Sequence, residues 1–322
     1  MGGGFEDRAW AVESAGGLGY LLAQQLLAAG ETVWDVPATL AARVRVLGTG
    51  RSDKNDPNDA LSVAVAALRA PRLASVARAE HAGVLRLLAK RNTDLGRARN
   101  RTACRLHALL AELAPGGIPN EINAASAERL LGSVNPASPV EVARHALALE
   151  HLDDLRRLDD QMRVSKKRIG EAIAASATSL TELFGVGPVV AAMVIGYTGD
   201  VARFRSRDRF AAYTGTAPIE VSSGGRITHR LSRRGNRQLN HAIHIAAITQ
   251  IRFAHSPGRA FFEHKVAEGK TKKEAVRALK RRISDAIYRQ LVLDARAVTG
   301  PGGFVDLCIR TRCLSCCNVP IE

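Results

Sequence analysis

The apolar positions between residues 9 and 70 change period repeatedly. Trp10-Ala11-Val12 is a short apolar run closed by Glu13 and predicts a strand. Gly16, Gly17 and Gly19 then give way to an apolar run, Leu18 to Ala29, that predicts a helix. Thr32-Val33-Trp34 predicts a second strand, and Pro37 opens a helix to about Val46 that Gly48 and Gly50 break. A polar loop leads into a helix from Asp56 to Leu68. This strand–helix–strand–helix order predicts an α/β sheet with parallel neighbours.

From residue 82 to 178 the pattern is helical almost throughout. Leu88, Leu95, Thr102 and Leu109 fall seven apart with Leu106 and Leu113 beside them, until Pro115-Gly116-Gly117 stops the run. Leu155, Met162 and Ile169 repeat the spacing, with Leu158 offset by three. Two such seams, carrying Arg97, Arg99, Arg101, Lys166, Lys167 and Arg168, predict an antiparallel coiled-coil arm; an ordinary bundle layer is the alternative for so few heptads. Leu183-Phe184-Gly185-Val186-Gly187-Pro188 separates helical stretches, as in a helix-hairpin-helix, where Gly185, Gly187 and the helix start offer backbone N–H groups to phosphate. Arg203, Arg205, Arg207 and Arg209 follow closely. The last helix, Lys272 to Leu293, has Val276, Leu279, Ile283, Ile287 and Leu291 on one face, with Lys273, Arg277, Lys280 and Arg281 largely off that stripe.

Charge narrows the partner. Of 322 residues, 46 are Lys or Arg against 31 Asp or Glu, and the net charge of +15 points to a polyanion, nucleic acid before membrane. Aromatics are only 4%, too few for base-stacking platforms. No apolar run approaches the ~18 residues of a membrane span, and the start Met1-Gly2-Gly3-Gly4-Phe5 lacks a signal peptide's charge and apolar stretch. The five cysteines are Cys104 and the crowd Cys308, Cys313, Cys316 and Cys317, an odd set that argues for a reducing cytoplasm. Cys313-x-x-Cys316 has no second Cys/His pair after it, and His241-x-x-His244 has no Cys or Glu near it, so zinc is not expected.

The densest chemistry lies between Gly215 and Ile245. Ser222 and Ser223 precede Gly224-Gly225, where backbone can approach a ligand, and Arg226, Arg230, Arg233, Arg234 and Arg237 follow. Guanidinium forks match phosphate oxygens, and an activated serine can attack phosphorus; a polar turn before a basic helix is the plain alternative. Glu13 ends a strand, and Asp56 and Asp59 stand three apart at a helix start, near one face. The helix start also reads as plain capping, with Asp56 at the N-cap, Pro57 next and Asp59 in the first turn.

Together these residues resemble the DEDD-type serine transposases of the bacterial one-ten insertion-sequence family, relatives of the Piv invertase. Trp10-Ala11-Val12-Glu13 with its glycine-rich helix start looks like the strand bearing the second acidic residue. Lys54-Asn55-Asp56-Pro57-Asn58-Asp59-Ala60 is similar to the family's Lys-x-Asp-x-x-Asp-Ala signature, making Asp56 and Asp59 its third and fourth acids. Phe184-Gly185-Val186-Gly187-Pro188, Phe204, Pro218, Ser223-Gly224 and Arg234-Gly235-Asn236 look like the family's second domain. The family's serine precedes the glycine, which points to Ser223, with Ser222 as the alternative. The family's first Asp stands on an earlier strand, whereas Asp7 lies only six residues before Glu13; the chain reads as N-terminally truncated.

The resemblance implies an α/β plus all-α chain: a partial RNase H/RuvC-like domain over 1–80 lacking its first strand or strands, a coiled-coil arm over 81–178, and a helical serine domain with the helix-hairpin-helix over 179–300. Residues 301–322 form an atypical tail. It further implies Mg²⁺ held by Glu13, Asp56 and Asp59, strand exchange through a phosphoserine link at Ser223, phosphate neutralisation by Arg226, Arg230 and Arg234, double-stranded DNA and a structured guide RNA as partners, and a homo-oligomer of two or four chains. The alternatives are a binding-only remnant and a RuvC-like junction nuclease that uses water.

Overall fold

The computed structural model describes residues 8–49, 55–71, 73–76, 81–114, 116–119, 122–223, 226–231 and 235–299, with the backbone alone along 220–223 and 226–231. It is mostly helical with a small sheet, and its contacts divide it into two compact units, 1–80 and 81–322. Among the described residues no helix is long and apolar enough to cross a membrane.

In the first unit, β1 (Ala9–Glu13) pairs in parallel with β2 (Thr32–Val36), from Ala9 opposite Thr32 to Glu13 opposite Val36. The crossover is α1 (Tyr20–Ala28), whose Ala23 packs with Val12 and Val33 on one face of the sheet. The other face is covered by α2 (Ala38–Thr49) and α3 (Asp56–Arg69), where Val36 meets Ala41, Val63 and Ala66. Strand side chains alternate faces, so Glu13 lies on the face that α3 covers. A two-residue strand, β3 (Ala74–Ser75), adds antiparallel to β2 and was not expected. Gly48 does not end α2, which continues to Thr49; a helical glycine costs only about 1 kcal/mol. The N-cap of α3 is Asn55, not Asp56: its backbone is extended and its side chain accepts from Asn58 N at 2.9 Å.

The second unit begins with an antiparallel hairpin of α4 (His81–Leu113) and α6 (Pro139–Ala174), with α5 (Ala124–Ser133) against its far end. Arg99 pairs with Asp159 and Arg144 with Glu112, which fixes the antiparallel sense. Leu155 and Ile169 are buried as the heptads predict. On α4 the buried positions are Leu85, Ala89, Asn92, Leu95, Leu106, Leu110 and Leu113, so Leu95, Leu106 and Leu113 are buried as named while Leu88 and Leu109 only flank the seam. Both rows contain leucines, and the position of α6 decides between them. Leu106, Leu110, Leu152 and Leu155 form a separate core with Ala127 and Leu131 of α5. Leu110→Ala should therefore cost about 2–5 kcal/mol there. Hydrogen exchange should report it as faster amide exchange in the far half of the hairpin, with the C-terminal helices unchanged.

The near end of the hairpin is built into a helical bundle. Leu85, Ala89, Ile169 and Ile173 share one core with α7 (Pro188–Thr198), α9 (Arg237–Arg252) and α11 (Lys272–Thr299). The helix expected before the glycine turn is a single 3-10 turn, Leu180–Glu182. Asp294 explains this: it accepts from the Thr178 hydroxyl at 2.7 Å and from Ser179 N at 3.2 Å, holding the segment out of helical bonding. Between α8 (Arg207–Thr214) and α9 lies a two-stranded element where a turn leading into a helix was expected. Its strands are β4 (Pro218–Ser223) and β5 (Arg226–Leu231). The β-branched Ile219, Val221, Ile227 and Thr228 supply the strand preference. After α9, α10 (Pro257–Ala267) completes the bundle.

Candidate nucleic-acid interface

The foot of the β4–β5 hairpin is held by backbone and amide contacts. Gly215, left-handed at φ 69, ends α8, and Thr216 N and Ala217 N both donate to Ala211 O at 2.9 and 3.0 Å. On the returning side, a Cβ on Gly235 would lie 2.4 Å from Gly215 Cα and N, so only glycine allows this approach. Asn236 N donates to Tyr213 O at 2.6 Å, and its side chain accepts from Gln238 N and Leu239 N to cap α9. One turn on, Asn240 Nδ2 donates to Thr214 O and Gly215 O, both at 3.0 Å. The two ends of the hairpin are thus fastened to each other and to α9.

The register sorts the candidate residues. Ser223 pairs with Arg226 and Ile219 with Arg230, so Ser223, Arg226 and Arg230 occupy positions on one face of the hairpin. Ser222 pairs with Ile227 and shares the opposite face with Glu220 and His229. Gly224, Gly225, Arg233, Arg234 and the cysteine tail lie outside the described residues. Arg237 is the exposed first residue of α9. Arg203 stacks over the rings of Phe204 and Tyr213 at 4.6 and 4.5 Å, whereas Arg205 is exposed.

The two glycines of the turn before α7 part company. Gly185 has φ 82, and a Cβ there would come within 2.8 Å of Ala246 O, so packing against α9 accounts for it. Gly187 is the exposed N-cap of α7 with open space around it, the better placed of the pair to present a backbone N–H.

The acidic residues belong to the first unit. Glu13 is exposed at the end of β1, and Asp56 is exposed in the first turn of α3. Asp59, on the helical row of the buried Val63 and Ala66, is ion-paired with Arg45 of α2. Among the described residues no three His, Cys, Asp or Glu side chains come together as a metal site, these three included. With Asp59 held by a guanidinium, the trio does not fit Mg²⁺ as it is arranged.

Lys280 and His244 were named from sequence but not as residues of this site. Lys280, expected off the apolar stripe of α11, is buried at 8% exposure because α11 packs against α8 as well as α9 and so buries a wide arc. Its Nζ donates to Asn240 Oδ1 at 2.6 Å, and burial pushes its pKa down. His244 is lowered too, by burial first and then by the charges of Lys280 and His241. The i, i+4 spacing of Asn236 and Asn240 was the available signal.

Known families match both parts of the chain. A model named for the DEDD transposase of IS110 matches residues 4–115, and one described as Transposase IS116/IS110/IS902 family matches residues 177–263. Among curated proteins, the chain is similar to an uncharacterized protein of insertion element IS116 from Streptomyces clavuligerus, at 26% identity over 89% of this chain and 83% of the relative. A probable family 20 transposase of Pseudomonas aeruginosa is 29% identical over 59% of this chain and 57% of its own. A protein of insertion element IS900 from Mycobacterium paratuberculosis is 37% identical over 110 residues, 33% of this chain and 27% of its own. The two matched segments together exceed half of the chain, and both describe transposases. The chain belongs to the IS110/IS116 family of insertion-element transposases.

Proposed function

We propose that this chain cuts and rejoins DNA strands, with Ser223 as the nucleophile, in the manner of the serine transposases related to the Piv invertase. The observation that carries the reading is the register that gives Ser223, Arg226 and Arg230 one face of a hairpin anchored at both ends, inside the segment matched by the family. Ser223 Oγ attacks phosphorus and a P–O bond to the departing nucleotide breaks. The serine proton leaves to solvent, and the departing oxygen takes a proton from solvent and is released as a hydroxyl. The phosphoserine link keeps the ester energy, so a strand hydroxyl can reverse the step with a new partner. Arg226 and Arg230, with Arg234, stabilise the charge that builds on the phosphoryl oxygens.

The parallel β1–β2 pair with helices on both faces supports an RNase H/RuvC-like reading of residues 1–80. Glu13, Asp56 and Asp59 are the residues of this chain that match the DEDD pattern, and Mg²⁺ is the ion the family resemblance assigns to them. Because Asp59 pairs with Arg45, no step above is routed through a metal. The α4–α6 hairpin is the coiled-coil arm of this reading, and Gly187 at the start of α7 serves as the backbone phosphate contact. Duplex DNA is the substrate, and a structured RNA and further copies of the chain are its partners.

Phosphate contacts release counterions, so binding must weaken with salt. With Arg203, Arg205, Arg226, Arg230, Arg233, Arg234 and Arg237 each meeting a phosphate, duplex affinity should fall about 10³-fold or more between ~50 and ~200 mM salt. A titration in fluorescence anisotropy checks this, and affinity that stays flat across that range would count against the phosphate-contact role.

A further inference from the structure

A cavity of about 490 Å³ opens at the foot of the hairpin, lined on one side by Gly215 to Pro218 and on the other by Glu274, Arg277, Lys280 and Arg281. Its charges are unequally answered. Arg281 is ion-paired with Asp208 and Asp285, while among the described residues no carboxylate pairs with Lys280, whose hydrogen-bond partner is Asn240 Oδ1. The Asn240 amide is fixed by its two bonds to Thr214 O and Gly215 O, so its oxygen is aimed and holds the ammonium at the cavity wall. An ammonium has three protons to donate, and this one spends one on Asn240. A charge taken out of water with no counter-charge is costly, and such a group in a cavity points to a ligand that supplies the opposite charge.

We propose that this cavity is a seat for one phosphate of the DNA duplex, held by the Lys280 ammonium with the Arg277 guanidinium at its mouth. The inference rests on the reading that the hairpin addresses DNA. Pro218, at the cavity, and Ser223 are five residues apart on β4, about 17 Å at roughly 3.4 Å per residue. The seated phosphate therefore lies only a few nucleotide steps from the one attacked. The seat would set where along the duplex Ser223 meets phosphorus.

The test uses full-length Ser223→Ala protein, so that binding is read without chemistry, and a fluorescent duplex titrated across a salt series. Lys280→Met should weaken duplex binding about tenfold and take about one unit off the slope of log affinity against log salt. Lys280→Arg, which keeps the charge, should recover most of the slope. Arg277 is exposed, so Arg277→Gln should leave the melting curve alone and lower the slope likewise. A Lys280→Met protein with the parent's melting curve and the parent's slope overturns the proposal. Should Lys280→Met fail to fold, an unchanged slope in Arg277→Gln overturns it instead. Slope loss on structured RNA but not on duplex DNA assigns the seat to RNA and overturns it as stated. A Ser223→Ala parent that binds no duplex at any salt overturns the underlying reading, which loss of the seat alone does not.

Discussion

Gly235→Ala should destabilise the C-terminal unit by about 3 kcal/mol or more, while Gly187→Ala changes stability by less than about 0.5 kcal/mol. A methyl group on Gly235 would sit 2.4 Å from two backbone atoms of Gly215, and no side-chain rotation can relieve a clash with backbone. Relief requires moving the end of α8 away from the start of α9. That movement breaks the bond from Asn236 N to Tyr213 O and those from Asn240 Nδ2 to Thr214 O and Gly215 O. Gly187 has an ordinary φ of −78 and nothing within 4 Å of an added Cβ. Thermal unfolding should separate the two variants by about 6–12 °C, at about 2–4 °C per kcal/mol for a unit of this size. Equal melting temperatures would show that the foot of the hairpin is looser than the contacts imply.

The first unit was largely legible because its apolar runs are short, change period cleanly and are bounded by glycine, proline and capping residues. Glu13 closing β1 and the start of α3 fell within a residue of expectation. What failed there is instructive. Asn55 and Asp56 both cap well, and the choice between them depends on which backbone is extended, a property neither side chain announces. The hairpin seam was half legible: Leu155, Ile169, Leu95, Leu106 and Leu113 were found, but Leu88 and Leu109 only flank it, because α4 offers two leucine rows and only the partner helix selects one. The β4–β5 hairpin was missed because its strands are short and carry charged and polar residues among the β-branched Ile219, Val221, Ile227 and Thr228, so no clean apolar period marks it. Lys280 was hidden for a different reason. A single apolar stripe predicts one buried face, and α11 is buried against two neighbours.

Ser223→Ala should reduce covalent attachment of the protein to DNA by at least about 10³-fold, a barrier increase of about 4 kcal/mol, because it removes the hydroxyl that the account makes the nucleophile. Ser222→Ala should leave attachment within a few-fold of the parent, since its register places it across the strand from Arg226 and Arg230. Arg226→Gln and Arg230→Gln should lower the rate of attachment while leaving Ser223 as the attached residue. The distinction matters because a protein that only binds DNA, and a nuclease that uses water, both give no adduct whatever the serine. The decisive measurement is denaturing electrophoresis with mass spectrometry after incubation with labelled duplex carrying the ends of the chain's own insertion element. The account predicts a DNA–peptide adduct mapped to Ser223 in the parent and in Ser222→Ala, and none in Ser223→Ala. An adduct that survives Ser223→Ala, or strand cleavage by the parent without any adduct, would contradict it.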